Sequence, residues 1–293
     1  MTTSHSLTES PHLLDDDTTA RIALACAGVA GDVSVSIAID ASGGAANFVA
    51  AVHDGDDQAL PLSNLVRARI RTLATGRVVA GALRLTHALG QVVVTPIHEV
   101  WPRQLEALGH RAPLVLWVGG SVADLARPSV AMTGTSNPTE FGIRKAHELG
   151  ISLAQRGWVI ATVSGKGIAP HAVEAALAIG GGVLEITAAN TADSHRHARV
   201  TVVSEVAPAG AATIRSQRRA KQLLAALSAK TIIVEAGRTA SVLGAAEAAY
   251  LIGRPVGIVA TNSASPFSQA CAEFAARPGV RLLAGAYDAL RLE

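Results

Sequence analysis

Three candidate sites stand out in the sequence, the first of them a pair of short loops. Gly134-Thr135-Ser136 and Ser164-Gly165-Lys166 each close an apolar run. Small residues let a phosphate approach backbone amides, hydroxyls donate hydrogen bonds, and Lys166 adds positive charge. The second stretch, Thr213 to Lys221, reads TIRSQRRAK. No carboxylate occurs between Val206 and Val234, yet Arg215, Arg218, Arg219, Lys221 and Lys230 all fall there. At helical spacing Arg215, Arg218 and Arg219 share one face. The third stretch runs from Glu235 through Gly237, Arg238 and Thr239 to Ser241, a glycine turn feeding a hydroxyl-rich helix start. Each has a plainer reading: tight turns, a solvated charged face, and a carboxylate that braces backbone. The missing acids favour phosphate binding for the basic run, whereas Glu235 reads as a brace before a catalyst.

Bond-breaking chemistry has little support. His195 and His197 flank Arg196 without ligands at helical spacing, so no metal site is expected. No Gly-x-Ser-x-Gly follows a strand, which removes the nucleophile elbow of a hydrolase. Neither a Walker motif nor a dinucleotide fingerprint is present, and no cofactor is expected. The residues are suited to holding phosphates, and the chain reads as a binding protein, not an enzyme.

Val130 to Met132 is a short apolar run, and Trp158 to Val163 is a second. Between them a helix is expected, with Asn137 as N-cap, Pro138 at the first position, Glu140 closing a capping box, and Gly157 as C-cap. Exposed amides at that helix start would attract phosphate. Beyond it come a helix over Pro170–Ile179, a strand over Gly182–Ile186, a polar loop over Thr187–Arg199 and a strand over Arg199–Glu205. A helix over Arg215–Ser228, a strand over Thr231–Glu235, a helix over Ser241–Ile252 and a strand over Val256–Ala260 follow, with Gly279–Leu283 as an edge strand. This alternation predicts an α/β fold, a mostly parallel sheet with helices on both faces and a ligand crevice at its strand ends.

The N-terminal part reads differently. Residues 1 to about 17 are polar and expected to fray. Thr18–Val29 reads as a helix, Val33–Ile39 alternates like a strand, Asn47–Val52 reads as another, and Leu65–Leu85 reads as one helix. Arg67, Arg69 and Arg71 read as a solvated face, with a nucleic-acid contact as the alternative. His53 and His87 are isolated. Trp101-Pro102 opens a short helix that Gly109 ends, and Pro113–Val118 is an apolar strand. A smaller accessory domain is expected over 1–97 and the sheet domain over 98–293.

Composition sets outer limits. With 293 residues, 49% apolar and 16% charged, the chain is globular. A net charge of +2 means that nucleic-acid affinity must come from local clustering. At 3% aromatic content, bases stacked on aromatic platforms are not expected, so a bound strand would be held by its backbone. Cys26 and Cys271 are distant and read as reduced structural thiols. Arg21, Asp32, Asp40 and Arg254 interrupt every candidate membrane span, and the acidic N-terminus lacks signal-peptide features. A cytoplasmic protein without membrane contact is expected.

From about Trp101 to Ala260 these blocks resemble the DNA-processing protein A (DprA, Smf) family. WPRQLEALGHRAPLVLWVGG resembles the family's lead-in to the sheet, VAMTGTSNPTEFG its Gly-Ser-Arg loop, and VSGKGI its second glycine loop. RRAKQLLAALSAKTIIVEAGRTASVLGAAEAAYLIGRPVGIV carries its later motifs in order and near the family spacing. The resemblance implies a Rossmann-like fold, binding of single-stranded DNA, a homodimer, and help in loading a RecA-type recombinase during DNA uptake and recombination. It places Gly134, Thr135, Ser136, Ser164, Gly165 and Lys166 in a phosphate pocket, and Arg238, Thr239 and Ser241 in the family's Arg-Ser-x-Ser turn. There are departures. Ser136 stands where the family has arginine, Ala169 where it has aspartate, and Ala220-Lys221-Gln222 where it has Arg-Asn-Arg, with Arg218 and Arg219 just before. A small nucleotide ligand, on an altered phosphate loop, is the alternative.

Overall fold

Asp16 starts the first helix: its carboxylate accepts the amide of Thr18 at 2.7 Å and that of Thr19. The N-terminal region is built from α1 (Asp17–Cys26), α2 (Val33–Ala41), α3 (Ala45–Asp54), α4 (Asn64–Leu73) and α5 (Gly76–Ala88). The computed structural model describes residues 16–191, 199–235, 243–260 and 268–293. Both strands expected in this region are helices. In α2 the residues that go inside are Val35, Ala38 and Ile39, at helical spacing, while Val33 and Ile37 stay at the surface. Asp32 caps α2 through the amide of Ser34. In α3, Ala45, Phe48, Val49 and Val52 form one buried stripe. Asp17 reaches across to accept the amide of Ala45 at 2.6 Å. The single helix expected over Leu65–Leu85 breaks at Ala74, and Thr75 caps the second piece through the amide of Val78.

The chain then enters the sheet through β1 (Gln91–Val94) and β2 (Leu116–Gly119), with a short 3-10 stretch over Arg103–Arg111 interrupted at Gly109. The rest alternates: β3 (Ser129–Gly134), α6 (Glu140–Ala154), β4 (Val159–Val163), α7 (Ile168–Ala178), β5 (Val183–Thr187) and β6 (Val200–Ser204). It continues through α8 (Ile214–Leu227), β7 (Lys230–Glu235), α9 (Gly244–Leu251), β8 (Val256–Val259), α10 (Ser268–Ala275), β9 (Val280–Leu283) and α11 (Ala286–Leu290). The strands form one sheet in the order β1-β2-β6-β5-β4-β3-β7-β8-β9. Every pairing from β6 to β9 is parallel; β1 with β2 and β2 with β6 are antiparallel. The expected α/β, mostly parallel sheet is the fold observed.

Both faces of the sheet are covered, which is why its strands are apolar almost throughout. Val130, Met132, Ile160 and Ile232 pack against Leu149 and Leu153 of α6 and Ile168, Ala172 and Ala176 of α7. On the other face Ala131, Ala161, Leu184 and Ile186 meet Ala220, Leu223, Leu224 and Leu227 of α8. The N-terminal helices share their core with the sheet's entry, through Leu114, Val115 and Trp117. Trp117 donates its indole N–H to Thr86 Oγ1 at 3.1 Å, fixing α5 against β2. The sheet therefore begins at β1, a few residues ahead of position 98.

The topology defines a crevice. From β3 the chain winds one way through β4 to β6, then returns by α8 to β7 on the other side of β3. Such a reversal splays the connecting loops apart beyond the carboxyl ends of the two strands. The loops after β3 and β4 therefore sit at one edge of the sheet.

Candidate phosphate-binding edge

The loop after β3 is organised by backbone and hydroxyl contacts. The register against β7 shifts between Thr133 and Gly134, and the amide of Thr135 donates to Glu235 O at 2.7 Å. Thr135 is buried, and its Oγ1 accepts the amide of Asn137 at 3.2 Å. Its hydroxyl thus shapes the loop, leaving Ser136 and Asn137 exposed at the rim.

The loop after β4 interlocks with the first. Ile168 donates its amide to Thr135 O at 3.1 Å. Gly167 sits at φ +88°, and a Cβ there would lie 2.0 Å from Thr135 O, so glycine alone fits. Ser164, Gly165 and Lys166 are exposed above this junction. The structure thus brings Gly134, Thr135, Ser136, Ser164, Gly165 and Lys166 to one place. Gly167, the last glycine of the VSGKGI loop, joins them although it was not among the expected pocket residues.

The start of α6 differs from expectation. Its N-cap is Thr139, two residues beyond Asn137, with Oγ1 accepting the amide of Gly142 at 3.3 Å. Pro138 and Asn137 precede the helix. The buried Glu235 carboxylate accepts the Thr139 amide at 3.0 Å and the Thr139 hydroxyl at 3.2 Å. The positive end of α6 is thus neutralised by a carboxylate of this chain, which takes the place expected for a phosphate. Glu235 is the brace the sequence reading favoured. The helix C-cap is Gln155, with Gly157 at φ +82° just beyond it. The start of α7, by contrast, has Gly167 at its N-cap, no side-chain cap and no acidic residue in its first turn.

The basic run divides on folding. Thr213 and Ser216 form a reciprocal capping box at the start of α8. Arg215 and Arg218 are exposed, Arg215 donating to Ala30 O at 3.0 Å. Arg218 and Lys166 have no hydrogen-bond or ion-pair partner among the described residues. Arg219 turns inward: it is buried and grips Glu205 with two bonds of 2.8 and 2.7 Å, while its Nη1 donates to Arg111 O and Gln222 Oε1. Lys221 is half-buried; burial pushes its ammonium below the ordinary lysine value, and Glu247 pulls it back. The face expected to carry Arg215, Arg218 and Arg219 together therefore presents two of them. β6 runs parallel to β4 and β3, two and three strand positions away, so α8 starts on the same carboxyl side of the sheet as the two loops. Arg238, Thr239 and Ser241 lie outside the described residues, as do His195 and His197.

Of the α4 arginines, Arg69 and Arg71 are exposed as expected and Arg67 is half-buried, but all three have partners within the chain. Arg67 Nε and Arg71 Nη2 meet the fully buried carboxylate of Asp57 at 2.6 and 3.1 Å. Arg71 Nε also donates to Val52 O, and Arg69 donates to Ala27 O. They tie helices and loops together. A cavity of about 770 Å³ lies between α1, α5 and the start of α8, with Cys26, Arg69, Glu205 and Arg215 in its wall. Burial pushes the Cys26 thiol up to about 11, so little reactive thiolate exists near neutral pH. Among the described residues no single helix is long and apolar enough to cross a membrane.

A family model described as DNA recombination-mediator protein A matches residues 92–290, from β1 to the end of α11. The chain belongs to this family. The DNA processing protein DprA of Mycobacterium tuberculosis (strain H37Rv) is 29% identical over 214 residues, covering 66% of this chain and 55% of the relative. The chain thus spans about half the length of the curated relatives it matches. DprA from Streptococcus pneumoniae has the same fold, with a TM-score of 0.74 at 19% identity over 95% of this chain and 98% of that one. DNA processing protein A from Helicobacter pylori, a structure concerned with its binding mode for single-stranded DNA, gives a TM-score of 0.60 at 19% identity over 69% and 94% of the two chains. The first of these likenesses takes in the N-terminal helices as well as the sheet, and both bear out the Rossmann-like fold.

Proposed function

We propose that this chain binds single-stranded DNA by its phosphate backbone, along the sheet edge formed by the loops after β3 and β4 and the first turns of α8. Lys166, Arg215 and Arg218 are the contacts that supply charge, Ser136 and Ser164 supply hydroxyls, and the start of α7 supplies a dipole. The observation that carries this reading is how cations are partitioned. Arg67, Arg71 and Arg219 are paired with buried carboxylates, whereas Lys166 and Arg218 at this edge face no acid among the described residues. An uncompensated cationic edge beside interlocked, small-residue loops suits a polyanion. Family membership and the binding mode reported for the Helicobacter pylori relative support it.

The activity is binding, with no bond made or broken. We further propose that the protein works as a homodimer in the cytoplasm and hands its strand to a RecA-type recombinase. Exposed Leu251, Leu282 and Tyr287, on the β8–β9 side of the sheet, suit a self-association surface. The test is fluorescence anisotropy of a labelled oligo-dT strand at low salt, with a duplex of equal length as control. Tighter binding to the single strand is expected; equal or absent binding overturns the reading. A mononucleotide that raises Tm while oligo-dT does not bind would move the proposal to a small nucleotide ligand.

A further inference from the structure

The helices α6 and α7 run side by side on one face of the sheet and approach closely where Gly150 meets α7. A Cβ at Gly150 would lie 2.9 Å from Ala175 Cβ and 3.0 Å from Ala172 O. This contact carries three metal-ligating side chains to one spot. His147 comes from α6, and His171 and Glu174 come from α7 at a spacing that shares one helix face. Their ligating atoms all lie within 4.8 Å of one another. The His147 and His171 rings are 5.5 Å apart between centroids and tilted by 42°. His171 Nδ1 is buried without a hydrogen-bond partner, and Glu174 Oε2 stands 3.5 Å from it.

We propose that His147, His171 and Glu174 bind one divalent transition-metal ion of the zinc class. Two imidazoles and one carboxylate are the donors such ions prefer; magnesium and calcium prefer oxygen alone. Zinc takes nitrogen and oxygen at about 2.0–2.2 Å, so donors around it stand about 3.3 Å apart. The Glu174 side chain, 65% exposed, can swing inward to complete that geometry. Three protein ligands leave the fourth position open to solvent. The ion would give the buried His171 nitrogen a partner and pin α6 to α7. Sequence reading passed over this set because only His171 and Glu174 are neighbours in the chain; His147 lies one helix and one strand earlier.

The test uses the untagged, metal-stripped full chain and zinc chloride alone, followed by calorimetric titration, thermal melting and metal analysis. Cobalt(II) gives a visible absorption band as a second signature. One equivalent of zinc and a raised Tm are expected, with no response to magnesium. Glu174→Gln and His147→Gln should each weaken zinc binding by about 100-fold, since even groups outside the ligand sphere are worth about 10–100-fold. Circular dichroism should show Glu174→Gln, at an exposed position, folded. His87→Gln, on exposed α5 surface, should bind as the native chain does. Absence of the equivalent in the native chain overturns the proposal. So does unchanged affinity in His147→Gln, or loss only in the His195→Gln/His197→Gln pair.

Discussion

Arg218 and Arg219 are adjacent and do opposite work. One points to solvent without a partner among the described residues; the other closes a two-pronged ion pair with Glu205. Helical spacing tells that two residues lie near each other, but not which of them faces the interior. The acid that decides it, Glu205, stands one position before the acid-free window that made the whole run look like a phosphate site. The same holds for Asp57, which claims Arg67 and Arg71 from a loop outside their helix. Removing one partner of a buried pair strands the other charge, so Arg219→Ala should cost about 3–5 kcal/mol in urea unfolding. Arg218→Ala should stay within about 0.5 kcal/mol yet weaken DNA binding. Comparable losses of stability in the two variants would contradict the assignment. Glu235→Ala, which leaves the Thr139 amide and hydroxyl without their acceptor, should cost about 1–3 kcal/mol in the same assay.

At the scale of elements, the parallel strands were legible because each is an apolar run bounded by glycine or hydroxyl residues. The N-terminal helices were not. Val33–Ile39 satisfies a two-residue period in its letters, but the surface to be covered lies on neighbouring helices, which select Val35, Ala38 and Ile39. This gives a sharp test. As a helix, Val35→Ala should cost about 1.5–2 kcal/mol, at about 0.8 kcal/mol per buried methylene-sized group. Val33→Ala should stay within about 0.5 kcal/mol. A strand would place both on one face and make the two costs alike. The cap of α6 is a parallel case. Asn137 and Thr139 are both competent N-caps by type, and Glu235, 96 residues away in sequence, settles the choice by accepting from Thr139. Long-range acceptors of this kind leave no local trace in the sequence.

For the whole molecule, the order of strands places the loops after β3 and β4 and the start of α8 along one edge, and most of the proposed contacts gather there. The sequence made that edge legible because the motifs end strands in a parallel sheet, whose carboxyl ends share one side. It did not reveal that the α6 terminus is already filled, which moves the expected anion seat toward α7, Lys166 and α8. If the exposed cations of this edge hold the backbone phosphates, the salt dependence of oligo-dT affinity must show it. Single strands lose roughly 0.7 in log K per log salt for each phosphate neutralised, so three contacts give a slope of about −2. The native chain should show that slope, and the Lys166→Ala/Arg215→Ala/Arg218→Ala variant should fold normally and lose nearly all of it. An unchanged slope in the folded variant would contradict the account.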